Sequence, residues 1–344
     1  MHVGVIGAGV AGLAAALECV ERGAKVQILE RGPMLGARTC SWLAGGMLAP
    51  WCERESAQTS VVERGQLALD WWPRRFPETV QHGTLVVAPH RDESELARFA
   101  RRTQGHEPLG EAGIAALEPD LAGRFRQGLF FAREAHLDPR RGLAALVDLL
   151  EQRGVAVQFG VEAVPEAIRA DIVLDCRGFA ARDRLPDLRG VRGEMAIVRT
   201  HGIALSRPVR LLHPRFALYV VPRGGGFFMI GATMIESEHR GPPTLRSTVE
   251  LLNGAYALHP AFGEAEVIEI DADIRPAFPD NLPRITREGR VISLNGLFRH
   301  GFLLSPALAR EAADLILPIP EVQHDPDHQW RGAGRLRAVA GSPA

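Results

Sequence analysis

His2-Val-Gly-Val-Ile-Gly-Ala-Gly-Val-Ala-Gly12, followed by Lys25-Val-Gln-Ile-Leu-Glu30, decides the fold of this chain. Val3 to Ile6 reads as a short apolar strand. Gly7, Gly9 and Gly12 turn it into a helix that ends near Gly23, and Lys25 to Glu30 reads as a parallel strand closed by an acid. The glycines have separable jobs: Gly7 allows the tight turn, Gly9 lets the backbone approach a pyrophosphate, and Gly12 lets helix and strand pack closely. Unpaired N–H groups and the dipole at the helix N-terminus favour a diphosphate there. Glu30 stands where such units place the carboxylate that accepts hydrogen bonds from a ribose hydroxyl. Strand, glycines, helix, strand and acid in this order predict a dinucleotide-binding βαβ unit.

Working outward, the chain of 344 residues is long enough for two domains, and its 46% apolar content for a substantial core. A formal net charge of -1 gives no general attraction to nucleic acid or anionic membrane. No apolar run approaches the length of a bilayer span, so a cytoplasmic location is expected. The cysteines, Cys19, Cys40, Cys52 and Cys176, have no metal-ligand spacing, and no metal is expected. Cys19 and Cys176 read as small core residues, which leaves Cys40 and Cys52 as the candidate reactive thiols.

After Glu30 comes a stretch rich in small residues, Arg31 to Pro50, whose backbone can approach a ligand closely. Ser56 to Phe76 carries apolar residues at helical spacing and is expected to be one helix, with Trp71 and Trp72 in the core or at a domain interface. Thr84 to Ala88 reads as a strand and Asp92 to Arg102 as a helix. Asp138 caps a helix that begins at Pro139 and stops at Gly154. Val155 to Phe159 and the apolar run ending at Asp175 return the chain to the parallel sheet. From Gly193 the pattern changes to an antiparallel sheet: Glu194 to Arg199, Phe216 to Val221 and Phe227 to Thr233, the last two joined by the hairpin loop Pro222 to Gly226. Val267 to Arg275 alternates strictly, with Ile268, Ile270, Ala272 and Ile274 on one face and Glu269, Asp271, Asp273 and Arg275 on the other. Val291 to Asn295 is a strand, Leu297 to Gly301 a turn and Leu304 to Leu317 a helix, followed by a tail without apolar period. The expected fold is α/β plus α+β. A Rossmann-type cofactor domain (1–81, 136–190 and 276–320) is interleaved with a substrate domain on an antiparallel sheet (82–135 and 191–275), and 321–344 form a C-terminal tail.

Several blocks carry a resemblance. They are Gly7-Ala-Gly-Val-Ala-Gly12, Ala44-Gly-Gly-Met-Leu-Ala-Pro50, Leu137-Asp-Pro-Arg140, Arg192-Gly-Glu-Met195, Tyr219-Val-Val-Pro-Arg223, Ile230-Gly-Ala-Thr-Met234, Ile274-Arg-Pro276 with Asp280-Asn-Leu-Pro283, and Arg299-His-Gly-Phe-Leu-Leu-Ser-Pro306. Through them the chain resembles the glycine oxidase and D-amino-acid oxidase family of FAD enzymes, and within it the glycine oxidases of thiamine biosynthesis. The resemblance implies non-covalently bound FAD. Gly7, Ala8, Gly9 and Gly12 would take the pyrophosphate, Glu30 the adenosine ribose and backbone near Ala163 or Val164 the adenine, with Arg31 and Gly178 also among the cofactor-binding residues. Ser41, Gly45, Gly46 and Met47 would lie beside the flavin, and His300, Gly301, Phe302 and Leu303 would meet its pyrimidine end. Arg275 matches the family's carboxylate-binding arginine, Tyr219 its active-site tyrosine and Arg299 the arginine before the last glycine turn.

The strand pattern alone reads Arg275 as the ion-pair partner of Asp273, and Tyr219 as a packed tyrosine; only the resemblance reverses this. It implies oxidation of a small amino acid, glycine first, with dioxygen as acceptor, no nucleic-acid partner and a possible homo-oligomer. Two alternatives stay open: a D-amino-acid or imino-acid dehydrogenase with another acceptor, and a flavin-binding subunit without turnover. The chain also departs from its relatives: Gly160 to Asp171 is short, and Ala217 stands where some carry a histidine. No cysteine lies where some relatives tether the flavin.

Overall fold

The computed structural model describes residues 1–37, 39–214 and 218–318. Phe216, Ala217 and the tail 321–344 lie outside the described residues. The opening glycine unit forms as its sequence dictates: strand β1 (His2–Ile6), helix α1 (Val10–Glu21) and strand β2 (Lys25–Glu30), with β1 and β2 paired in parallel. Around them the sheet has six strands, in the order Arg284–Glu288, Val291–Asn295, Ile172–Asp175, β1, β2, Val157–Phe159. Only the edge strand Arg284–Glu288 is antiparallel. β1 is nearly all buried because it lies inside the sheet with α1 packed over it. That helix packs in turn on Gly301–Ile316 and Pro139–Glu151. Leu13, Leu17, Leu143, Leu146, Leu304 and Leu308 fill the space between them.

Trp71 and Trp72 are core residues, and each finds a partner for its indole N–H, as buried tryptophans do. Trp71 donates to the buried Glu18 carboxylate at 2.6 Å, and Trp72 to the Phe302 carbonyl at 2.8 Å while stacking on the Phe302 ring. The single helix expected over Ser56 to Phe76 is two, Thr59–Gly65 and Ala68–Arg75. The break follows Gly65, a weak helix former that lies so close to Leu303 that a Cβ would sit 2.9 Å from its Cγ. The Asp138 cap is as expected, its carboxylate accepting from the Arg140 and Arg141 N–H groups.

The second sheet has nine strands among the described residues. Its order is Ile235–Glu236, Arg189–Arg199, Phe227–Gly231, Leu218–Gly224, Val209–Leu211, Thr84–Val87, Gln127–Phe131, Glu107–Gly110, and Glu266–Ala277 also pairs with Arg189–Arg199. Leu85, Ile114, Val209, Leu218, Phe228 and Leu251 form its core. Arg189–Arg199 starts before the expected Glu194, because pairing along Glu266–Ala277 shelters a segment too rich in glycine and arginine to read as a strand. The hairpin turn is tighter than expected, resting on Gly225 and Gly226 at φ +60 and +76.

Glu266–Ala277 corrects a second expectation. Its apolar face is not uniformly buried: Ile268 is 49% exposed, whereas Ile274 is 3% exposed. Its polar face is not a solvent face either, for it looks across the seam between the two sheets. There Glu269 accepts two hydrogen bonds, at 2.9 and 2.6 Å, from Arg140 of the first sheet's helix layer. No described helix is long and apolar enough to cross a membrane.

Candidate functional site

Two cavities lie along this seam and share Gly301 in their walls. The narrower, about 210 Å³, opens at the glycine turn. Gly7 takes φ +102, and a Cβ there would stand 2.5 Å from the Cys176 carbonyl oxygen. Gly12 fits only as glycine, since a Cβ would lie 1.9 Å from the Gly7 oxygen. Gly9 lines the cavity with Ser41, whose hydroxyl accepts from the Val10 N–H at 3.1 Å. Glu30 pins the turn, accepting from the Ala8 and Gly32 N–H groups at 2.7 Å each. A carboxylate has about four lone-pair sites, so capacity remains for a ribose hydroxyl.

Of the residues expected on the diphosphate, Gly7 and Gly9 line the cavity. Ala8, 2% exposed and with its N–H given to Glu30, and Gly12, packed beneath Gly7, do not line it and act through the shape of the turn. Arg31, Ala163, Val164 and Gly178 line the far end of the same cavity.

The larger cavity, about 760 Å³, brings together Gly45, Gly46, Met47, Tyr219, Arg275 and Arg299 through Leu303. Gly46 takes φ +68, where a Cβ would meet the Leu137 carbonyl oxygen at 2.1 Å. The half-buried Arg223 clamps this loop by donating to the carbonyls of Leu137, Ala44 and Gly45. The last helix starts at Gly301, three residues before its expected beginning, and so turns its free N–H groups towards the cavity. Arg275 does not pair with Asp273. It donates to the Thr233 carbonyl at 2.9 Å, while Asp273 accepts from the Ile274 N–H and faces Arg240 at 3.8 Å. Burial lowers the pKa of Arg275 and raises that of Tyr219, which keeps the phenol un-ionised.

Among the cavity residues that had no place in the expectations are Glu53 and Arg210. Glu53 ends the short helix Pro50–Glu53 and stands 2.6 Å from Arg299, 3.4 Å from Arg210 and 3.6 Å from His300 Nδ1. Burial opposes its charge, but Arg299 and Arg210 overcome this and hold the carboxyl down to about 2. His300 is driven the other way, to about 4, chiefly by burial, with Arg299 and Arg210 adding to it against Glu53, and is a neutral imidazole at pH 7. Arg299 thus lines the cavity with its charge already met. Nothing in sequence singles out Glu53. Arg210 left a signal: an arginine inside the apolar run Val209 to Leu212, opposite Tyr219 in the strand register and so on the same sheet face.

The cysteine expectation is corrected. Cys52 is fully buried, and burial pushes its thiol well above the usual range; Cys40 lines the narrow cavity, but burial pushes its thiol up to about 12. Neither is a thiolate at neutral pH. No cluster of metal-ligating side chains occurs among the described residues.

The family model described as FAD dependent oxidoreductase matches residues 2–315. The chain belongs to that family. It is 58% identical over 318 residues to a Rhizobium etli protein named as a thiamine biosynthesis oxidoreductase, ThiO, covering 92% of this chain and 97% of the relative. It is 29% identical to a glycine oxidase of Pseudomonas aeruginosa, over 92% of this chain and 94% of that one. Among solved structures, glycine oxidase of Geobacillus kaustophilus shares the fold with a TM-score of 0.78 at 23% identity, covering 91% of this chain and 94% of that one. The cofactor of this oxidoreductase is FAD, and the cavities fit it. The narrow cavity offers a glycine turn, a helix N-terminus and the Glu30 carboxylate to the ADP half. The wide cavity is floored by bare glycine backbone that a planar ring can approach.

Proposed function

We propose that this oxidoreductase oxidises the amine of a small amino acid, glycine first, to the imine, which is released or hydrolysed to glyoxylate and ammonia in thiamine biosynthesis. Dioxygen is the acceptor and hydrogen peroxide the second product. The observation that carries the reading is Arg275, a guanidinium lining the wide cavity whose hydrogen bond among the described residues goes to the Thr233 carbonyl. The names of the two relatives at 58% and 29% identity support the substrate and the pathway. Residues 1–81, 136–190 and 276–320 serve as the cofactor domain and 82–135 with 191–275 as the substrate domain, in a cytoplasmic enzyme.

FAD supplies the hydride acceptor and the route for electrons to dioxygen. Arg275 takes the substrate carboxylate in two parallel charge-assisted hydrogen bonds, which fixes the direction of the Cα–H bond. Tyr219, kept protonated by burial, offers its hydroxyl as a further donor beside that carboxylate. No side chain is asked to remove a proton: His300 is neutral but faces Glu53, and Glu53 is committed to Arg299. The substrate amine therefore arrives deprotonated from solution, and its lone pair drives hydride departure.

Anaerobic addition of glycine, sarcosine, D-alanine or D-proline to the FAD-loaded protein is expected to bleach the flavin absorbance, and air to restore it with release of peroxide. Absence of bleaching by all of them refutes the reading. Bleaching reversed only by an artificial acceptor, without peroxide, refutes the oxidase assignment.

A further inference from the structure

We infer that Gly193 is a positioning residue for the substrate: it is the seat on which the Arg275 guanidinium rests. The inference rests on the reading of Arg275 as the carboxylate-binding group. In the pairing of Arg189–Arg199 with Glu266–Ala277, Val191 stands opposite Arg275 and Gly193 opposite Asp273. Residues two apart on a strand share a face, so the Arg275 side chain leans diagonally across its neighbour and ends over Gly193. A Cβ at Gly193 would fall 2.0 Å from Arg275 Cζ, 2.1 Å from NH2 and 2.4 Å from NH1. The guanidinium occupies the volume that any side chain at this position would claim.

The end of the seat is fixed as well. Arg275 NH1 donates to the Thr233 carbonyl, and Thr233 is locked to Glu194, the residue after Gly193. The Glu194 N–H donates to Thr233 Oγ1 at 2.9 Å, and the Thr233 N–H to the Glu194 carbonyl at 3.1 Å. The floor and the residue that locks the end-stop thus come from adjacent positions of one strand.

The position demands glycine for the site and not for the fold. Gly193 is not in the left-handed region, and the atoms its Cβ would meet are the end of one flexible side chain. A methyl group there leaves the sheet intact and drives the guanidinium back by about 1.5 Å to reach ordinary contact. A displacement of that size is worth on the order of tenfold to a hundredfold in productive binding.

The test compares Gly193→Ala, Arg275→Lys and the double variant as FAD-loaded proteins. It reads KM and kcat for glycine, and the Kd of acetate from its perturbation of the flavin spectrum. Gly193→Ala is expected to raise KM and the acetate Kd tenfold to a hundredfold, with FAD occupancy and melting temperature as in the wild type. In the Arg275→Lys background the same substitution is expected to add little, because the planar group it displaces is gone. Wild-type KM and acetate Kd in Gly193→Ala, or an equal loss in both backgrounds, overturns the inference. Wild-type acetate binding in Arg275→Lys and Arg275→Ala alike instead overturns the carboxylate reading, and the inference with it.

Discussion

Glu53→Gln keeps the shape of the side chain at the floor of the wide cavity and removes its charge. Arg299 at 2.6 Å and Arg210 at 3.4 Å hold the carboxyl at about 2 in the folded protein against the usual 4.5, despite the opposing effect of burial. At roughly 1.4 kcal/mol per unit, this corresponds to about 3 kcal/mol of stability at neutral pH. The pKa is depressed, so this stability is fully present above pH 4.5 and is lost as pH falls towards 2. Urea unfolding of wild-type and Glu53→Gln protein, both FAD-loaded, measures it. The variant is expected to be less stable by about 3 kcal/mol at pH 7, with the gap narrowing below pH 4.5. Equal stability at pH 7, or a gap indifferent to pH, would refute the assignment of Glu53 as the buried counter-ion.

Glu134 is the opposite case: fully buried, with its carboxyl raised to about 8 chiefly by burial. A raised carboxyl costs stability as pH climbs from 4.5 to 8, so Glu134→Gln should be more stable than wild type at pH 8, by about 1–4 kcal/mol, with no difference below pH 4.5 in the same unfolding series. Arg275→Ala should raise KM for glycine by on the order of a hundredfold or more while leaving the flavin spectrum intact, and unchanged kinetics would remove it from the site. Gly9→Val should yield colourless protein, because even a Cβ at Gly9 comes within 3.2 Å of Thr39 Oγ1 and 3.3 Å of Ser41 Oγ; full FAD occupancy would refute the role of the glycine turn.

The opening βαβ unit was legible because its determinants are local: a short apolar run, three glycines and an acid within thirty residues. The wide cavity was legible only through resemblance, since Gly45, Tyr219, Arg275 and Gly301 come from four distant segments that no periodicity links. Glu53 escaped both routes, because its importance arises from two guanidinium groups and an imidazole that only folding brings within 4 Å. The broken helix around Gly65 escaped too: apolar spacing reports which face is buried, and not that a leucine from residue 303 needs the space of a side chain. The alternation of Val267 to Arg275 was read correctly in period, but its polar face was not read as a seam, for pattern alone does not distinguish water from a second domain.

That strand also works as a ruler. Along its polar face Glu269 ties the two sheets together, Asp273 borders the narrow cavity and Arg275 the wide one. Each step of two residues advances about 6.6–6.8 Å. The separation between the wall Asp273 gives the narrow cavity and the wall Arg275 gives the wide one is therefore set by backbone geometry, not by loop conformation. Conservative exchanges along this strand can retune either cavity separately, whereas inserting or deleting one residue would turn Glu269, Asp273 and Arg275 away from the seam together and cost the tether and a wall of each cavity at a single stroke.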